Sequence, residues 1–396
     1  MPVSDLPDAE QSLADRAIGL LGHLVGFDTT SRGSNLELIG FVENYLSQHG
    51  VASTRIASPD GGKANLLATI GPAEPGGVVL SGHTDVVPVD GQPWTSEPFT
   101  LTRRGERLFG RGTCDMKGFL ALALAAVPDL GAADLRRPAH LAFSYDEEIG
   151  CLGAPLMIAK MARDLPAPAL VIVGEPTSLR LVGAHKGIAT FEVRVRGREA
   201  HSSQTHLGAS AIMAAARLMS VLEATAAQLE READPASPFV PKHPTLTIGV
   251  VQGGTAANIL ARDCRFLFDL RAPAGINPHG LLGDFFAAVE AEDAILCERA
   301  DGWVSVTQMA DVPAFHLRPG GAAEALARRL SGDNGELGAV SYGAEAGQFE
   351  EGGFATVLCG PGSIDQAHQP DEYVDIEQMR RGAGLMGNVI AELARA

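Results

Sequence analysis

The chain has 396 residues, 45% of them hydrophobic, and a formal net charge of −17. That length exceeds what one ordinary core needs and points to two domains. The acidic balance argues against a nucleic-acid partner, which calls for a basic face, and five scattered cysteines with no CxxC spacing exclude a disulfide framework or a cysteine zinc site.

No basic segment opens the chain, and the longest apolar run, Phe119 to Val127, is too short to span a bilayer, so the sequence reads as cytoplasmic with no membrane partner. Apolar residues recur at helical intervals from Ser12 to Gly50, broken by the turn at Asp28-Thr29-Thr30-Ser31, which predicts two helices. Asn65 to Ile70 and Val78 to Leu80 read as buried strands, and His83 follows the second in Ser81-Gly82-His83-Thr84-Asp85. A glycine-bracketed turn, Arg111 to Gly118, leads into an Ala/Leu-rich helix reaching about Val127, which places Asp115 near a helix start. His140 to Tyr145 is a strand ending at Asp146-Glu147-Glu148, and Leu170 to Val173 is another ending at Gly174-Glu175-Pro176.

Ligand-type residues beyond the carboxyl ends of successive strands are the mark of an open α/β sheet, so a doubly wound mixed sheet is expected for residues 1–181. From about Leu181 the texture changes. Strands near Ile188–Val195, Thr245–Val251, Cys264–Arg271 and Val304–Met309 alternate with helices near Ala209–Leu229 and Leu281–Glu292 in a βαββαβ order, which predicts a ferredoxin-like α+β insert over residues 182–311. The α/β pattern returns in residues 312–396, with a helix near Ala322–Leu330 and an apolar strand, Phe354 to Leu358, leading to His368. The first domain is therefore expected to be discontinuous.

Carboxylates gathered in one crevice repel one another and resist desolvation unless a cation neutralises them. His83 and His368 offer imidazole nitrogens, while Asp115, Glu148 and Glu175 offer oxygens, a mixed set suited to zinc or cobalt. Taken singly, each acid also reads as a turn residue or a helix cap. Five such residues, on segments far apart in the chain and each next to an apolar stretch, favour a metal site. Gly110-Arg111-Gly112 lacks the third glycine of a dinucleotide loop, and no P-loop or GxSxG motif occurs.

Ser81-Gly82-His83-Thr84-Asp85, Arg111-Gly112-Thr113-Cys114-Asp115-Met116-Lys117-Gly118, Asp146-Glu147-Glu148, Gly174-Glu175-Pro176-Thr177 and Ala367-His368-Gln369-Pro370-Asp371-Glu372 together resemble the ordered motifs of the dinuclear zinc amidohydrolases. That family includes acetylornithine deacetylase, succinyl-diaminopimelate desuccinylase, aminoacylase and glutamate carboxypeptidase. The run from Gly360 to Glu372 is most similar to the acetylornithine deacetylase branch. The resemblance implies two Zn2+ ions, with Co2+ as a possible substitute: Asp115 bridging them, His83 and Glu175 on one, Glu148 and His368 on the other. It also implies Glu147 as general base and Asp85 as the partner that orients His83.

In the insert the resemblance implies an oxyanion donor, His201 or its neighbour His206, that reaches the second subunit of a homodimer. Asn258 and Arg271 would contact substrate, Arg271 as a clamp on a carboxylate, and Glu345 would face a substrate amine. The activity implied is hydrolysis of a small-molecule N-acyl amino acid, N-acetylornithine foremost, to acetate and the free amine. A desuccinylase, aminoacylase or carboxypeptidase on the same scaffold is the alternative. A metal-dependent binding protein without turnover is another, though it would have no need of Glu147.

Overall fold

The computed structural model describes residues 11–395, which divide into two units. One holds the chain up to Ala184 together with His316–Gly338 and the segment from Ala344 onward; the other holds His185–Phe315 and Ala339–Gly343. The sequence reading leaves residues 339–343 with the first unit. They join the second because the Lys186 amide donates to the Val340 carbonyl and Gly343 packs tightly on Ile188.

The first unit is built on a mixed sheet with the spatial order Ser53–Ala57, Ala64–Ile70, Ala139–Ser144, Val78–His83, Leu170–Pro176, Thr356–Gly360 and Val182–His185. The middle four strands run parallel and are wholly buried, as expected of Val/Leu/Ile-rich strands covered on both faces. From Val78–His83 the chain steps to Ala139–Ser144 on one side, then crosses to Leu170–Pro176 on the other. That reversal is where ligands collect in a doubly wound sheet.

Register turns this topology into a site. Ser81 pairs with Val173, so His83 and Glu175, each two residues further on, finish side by side, and His83 itself pairs with Ser144 just ahead of Glu147-Glu148. The helix Lys117–Ala125, apolar apart from Lys117 at its start and buried at every position, lies against these strands. Its close approach depends on two glycines: a Cβ on Gly82 would meet Met116 at 2.5 Å, and one on Gly174 would meet the Phe119 ring at 2.0 Å. Each of these glycines immediately precedes a ligand-type residue, so the helix that follows Asp115 is seated directly beneath His83 and Glu175.

Among the elements with no counterpart in the sequence reading are the helix Ile376–Leu393 and a small antiparallel sheet of Thr102–Arg104, Arg107–Phe109 and Tyr373–Asp375. The pairing of Tyr373 with Phe109 brings the segment after His368 alongside the loop that carries Asp115.

The second unit is a four-stranded antiparallel sheet in the order Thr245–Gly253, Asp263–Ala272, Gly187–Arg196, Trp303–Val312, with Ala211–Arg231 and Gly283–Ala300 packed on one face. This is the ferredoxin-like order expected from βαββαβ connectivity. Ala211–Arg231 is the one described helix long and apolar enough to cross a membrane. Its Ala211, Ala214, Ala215, Leu218, Leu222 and Leu229 are buried in this unit's core beside Phe266 and Phe268.

Candidate metal centre

Within the first unit, three strand ends and two loops bring five ligand-type side chains together. His83, Asp115 and Glu175 form one group whose donor atoms lie within 4.8 Å of one another, and Asp115, Glu148 and His368 form a second. Asp115 belongs to both. Its Oδ1 is 3.0 Å from His83 Nε2 and its Oδ2 is 3.3 Å from His368 Nε2, which is in turn 3.0 Å from Glu148 Oε2. The two oxygens of one carboxylate thus face two different ligand groups. The first group is buried throughout, whereas the His368 side chain is 49% exposed.

His83 Nδ1 donates to the Asp85 carbonyl oxygen at 2.9 Å, so Nε2 is the ring nitrogen aimed into the cluster and becomes a ligand once it gives up its proton. The Asp85 carboxylate stands 3.6 Å from the same ring nitrogen. The carbonyl and the carboxylate of Asp85 thus both face that nitrogen, the carbonyl making the shorter contact. That carboxylate accepts from the amides of Glu147 at 3.1 Å and Glu148 at 3.3 Å and from Ser31 Oγ at 2.6 Å, so it fixes the turn that aims the adjacent glutamates. Cys151 Sγ lies 3.5 Å from Glu147 Oε1, a contact that nothing in the sequence pattern announces.

The Asp115 side chain does not cap the helix that follows it, which begins at Lys117 with Met116 at the cap position. Glu345 opens the short helix Ala346–Glu351 without making a side-chain cap bond. It is buried, and neither carboxylate oxygen has a hydrogen-bond partner among the described residues.

The electrostatics follow from crowding acids in a dry place. Burial raises Glu147 and Glu175 well above the ordinary carboxylate range, with the neighbouring acids adding to the rise, and burial together with Asp115 pushes Glu148 up to about 7. Burial also takes Glu345 to about 7. Hydrogen bonds to Asp115 and Glu148 carry His368 up to about 11. Burial acts against the proton on His83, yet Asp115 and Asp85 hold its pKa well above that of a free imidazole.

Such a cluster calls for cations, and the donor set fits them. Glu148 Oε1 and Glu175 Oε1 are buried without any hydrogen-bond partner among the described residues, which is costly for a carboxylate unless a positive ion takes the vacant lone pairs. Two imidazoles with three carboxylates, one of them shared, suit a pair of ions of zinc type.

Comparison with known proteins agrees. Residues 79–392 match the model of peptidase family M20/M25/M40. The chain belongs to that family. It is 35% identical to acetylornithine deacetylase of Proteus mirabilis over 375 residues, covering 93% of each chain. Among solved structures, human carnosine dipeptidase 1 superposes with a TM-score of 0.76 at 16% identity over 97% of both chains. The Bacillus subtilis YXEP protein, described as a dinuclear metal-binding M20 peptidase, gives 0.64 at 15% identity over 96% of this chain and 98% of that one. The M20 chain is thus a hydrolase whose fold is shared with metallopeptidases, and its candidate ligands all come from the first unit.

The remaining expected site residues lie in the second unit and do not gather at one place within it. His201 pairs with Ile259 in an isolated bridge and the Ser202 amide donates to the Asn258 carbonyl at 2.9 Å, so His201 and Asn258 share one loop cluster. His206 is in a neighbouring 3-10 turn. Arg271 is at the other end of the sheet, opposite Ile188, with its Nε donating to Asp269 at 2.7 Å. The strand Asp263–Ala272 separates Arg271 from the His201 end by roughly 25 Å.

Because burial keeps several of these carboxyls protonated and carboxylate neighbours keep both imidazoles charged, loading metal-free protein with zinc at about pH 7 is expected to release protons. A pH indicator in weak buffer reads this directly, and zinc affinity should rise steeply from about pH 5 to pH 8. Binding without proton release would contradict the protonation described.

Proposed function

We propose that the chain hydrolyses the amide of an N-acyl amino acid, N-acetylornithine foremost, giving acetate and the free amine. The observation that carries this reading is Asp115 shared between two ligand groups with the Glu147 carboxyl beside them. The similarity to acetylornithine deacetylase supports the choice of substrate. His83, Asp115 and Glu175 would hold one zinc ion and Asp115, Glu148 and His368 the other, with cobalt an acceptable substitute. When bound, the pair supplies Lewis acidity toward water and toward the amide carbonyl.

The chain's own groups do the proton work. Glu147 takes a proton from the attacking water through a carboxylate oxygen and passes it to the departing amine nitrogen. Asp85 keeps the Glu147-Glu148 turn aimed. Arg271 clamps the substrate carboxylate, and the buried Glu345, which has no cationic partner among the described residues, receives the substrate ammonium. His201 stabilises the oxyanion, and Asn258 contacts the substrate.

In line with the family resemblance, His201 serves the site of a second copy in a homodimer, and its distance of roughly 25 Å from Arg271 along the sheet fits the two residues acting on different substrate molecules. Two features favour that assembly. Thr245–Gly253 is an edge strand with an unpaired side, and Leu207, Ile212, Met213, Val251 and Ile259 expose apolar surface around it. Five free cysteines suit a reducing cytoplasm.

With zinc or cobalt, purified protein should release acetate from N-acetylornithine faster than it deacylates succinyl-diaminopimelate or other N-acyl amino acids, and Glu147→Gln should lower kcat by about 10²–10⁴-fold while retaining both ions. Full turnover in that variant removes the base assignment, and binding without product release across the panel removes the enzymatic reading. Mixing inactive Glu147→Gln with inactive His201→Ala should restore about a quarter of the wild-type rate, since half of randomly paired dimers are mixed and each carries one intact site. No recovery after verified exchange of subunits would contradict the shared site.

A further inference from the structure

Glu372 is outside the ligand set, is 1% exposed, and is held by four donors. Its Oε1 accepts from the amides of Cys114 at 2.9 Å and Asp115 at 3.1 Å, and its Oε2 from the amide of Gly112 at 3.1 Å and from Arg111 Nη1 at 2.7 Å. A carboxylate so engaged has little capacity left to ligate a metal or accept a substrate proton. What it does is determine the backbone path into Asp115, and with it the direction in which the two Asp115 oxygens point.

The same ion pair reaches the other exposed part of the centre. Arg111, which also lies 5.0 Å from the Trp94 ring, donates from Nη2 to Gln92 Oε1 at 2.6 Å, and Gln92 Nε2 donates to the His368 carbonyl at 2.9 Å. His368 has a backbone φ of 62°, a left-handed conformation that costs energy in a residue with a side chain and persists only where its surroundings hold it. Asp115 through its amide and His368 through its carbonyl are therefore tied to one buried Arg111–Glu372 pair. His83 and Glu175, in contrast, are fixed by strand pairing and do not depend on it.

We propose that Glu372, Arg111 and Gln92 form a positioning clamp that sets the geometry of the metal position made by Asp115, Glu148 and His368, and that this position depends on the clamp more than the position at His83 and Glu175 does. The inference rests on the dinuclear reading. The chemistry is ordinary: hydrogen-bonded groups behind metal ligands orient them, and their loss costs about 10- to 100-fold in metal affinity.

The test is stepwise zinc and cobalt binding to the full chain by chelator competition, with the unfolding temperature of each metal-free form measured in parallel. Gln92→Ala removes the link to His368 together with the bonds that Gln92 Oε1 accepts from Arg111 Nη2 and Trp94 Nε1, leaves the Arg111–Glu372 pair in place, and should keep the metal-free protein folded with the first ion bound as in the wild type while weakening the second by about 10- to 100-fold. Glu372→Gln should weaken the second ion further and alter the visible spectrum of cobalt there, with Glu372→Asp recovering part of the loss. Breaking a buried pair can prevent folding, in which case Gln92→Ala decides the matter alone. Wild-type affinity for the second ion in folded Gln92→Ala overturns the clamp. A wild-type protein that holds fewer than two ions overturns the dinuclear reading itself, so the two failures are distinguishable.

Discussion

Mutual repulsion among buried carboxylates is the constraint around which the first unit is arranged. Asp115, Glu147, Glu148, Glu175 and Glu345 interact electrostatically in a region where burial and neighbouring acids push Glu148 and Glu345 up to about 7. No packing of apolar side chains relieves that cost. Two cations do, provided one carboxylate is placed to serve both, and Asp115 with an oxygen toward each histidine is so placed.

The fold supplies this placement by means that differ in rigidity. His83 and Glu175 end adjacent parallel strands at the point where the sheet reverses its winding, and Gly82 and Gly174 let the helix after Asp115 press up beneath them. Asp115 and His368 are on loops, and loops need local hydrogen bonds to hold a geometry that strands inherit from their register. The Arg111–Glu372 pair and Gln92 meet that need. The exposed His368 beside the buried His83 shows the same division at the level of solvent access.

Much of this was legible in the sequence because it was local. The apolar runs ending at His83, Glu147-Glu148 and Glu175 name their strands and their ligand-type residues at once, and the βαββαβ alternation after Leu181 is periodic enough to read directly. Long-range hydrogen bonding left no such trace. Glu372 is in a quoted motif, yet nothing local indicates that it turns back to three amides more than 250 residues earlier in the chain. Residues 339–343 carry no strong strand pattern, so their pairing with the insert was not visible. At Asp85 the shorter contact to His83 comes from the carbonyl, while the carboxylate stands 3.6 Å away and also accepts from the Glu147 and Glu148 amides, an arrangement that spacing alone does not reveal. The separation of Arg271 from His201 and Asn258 emerges only when strand length is laid out in space.

The sharing of Asp115 is best tested by anomalous diffraction at the zinc edge from crystals of the zinc-loaded protein. Two peaks are expected about 3.5–4 Å apart on either side of the Asp115 carboxylate, one against His83 and Glu175 and the other against Glu148 and His368. A single peak, or a pair of ions that leaves Asp115 on one side of both, would contradict a centre built on that shared carboxylate.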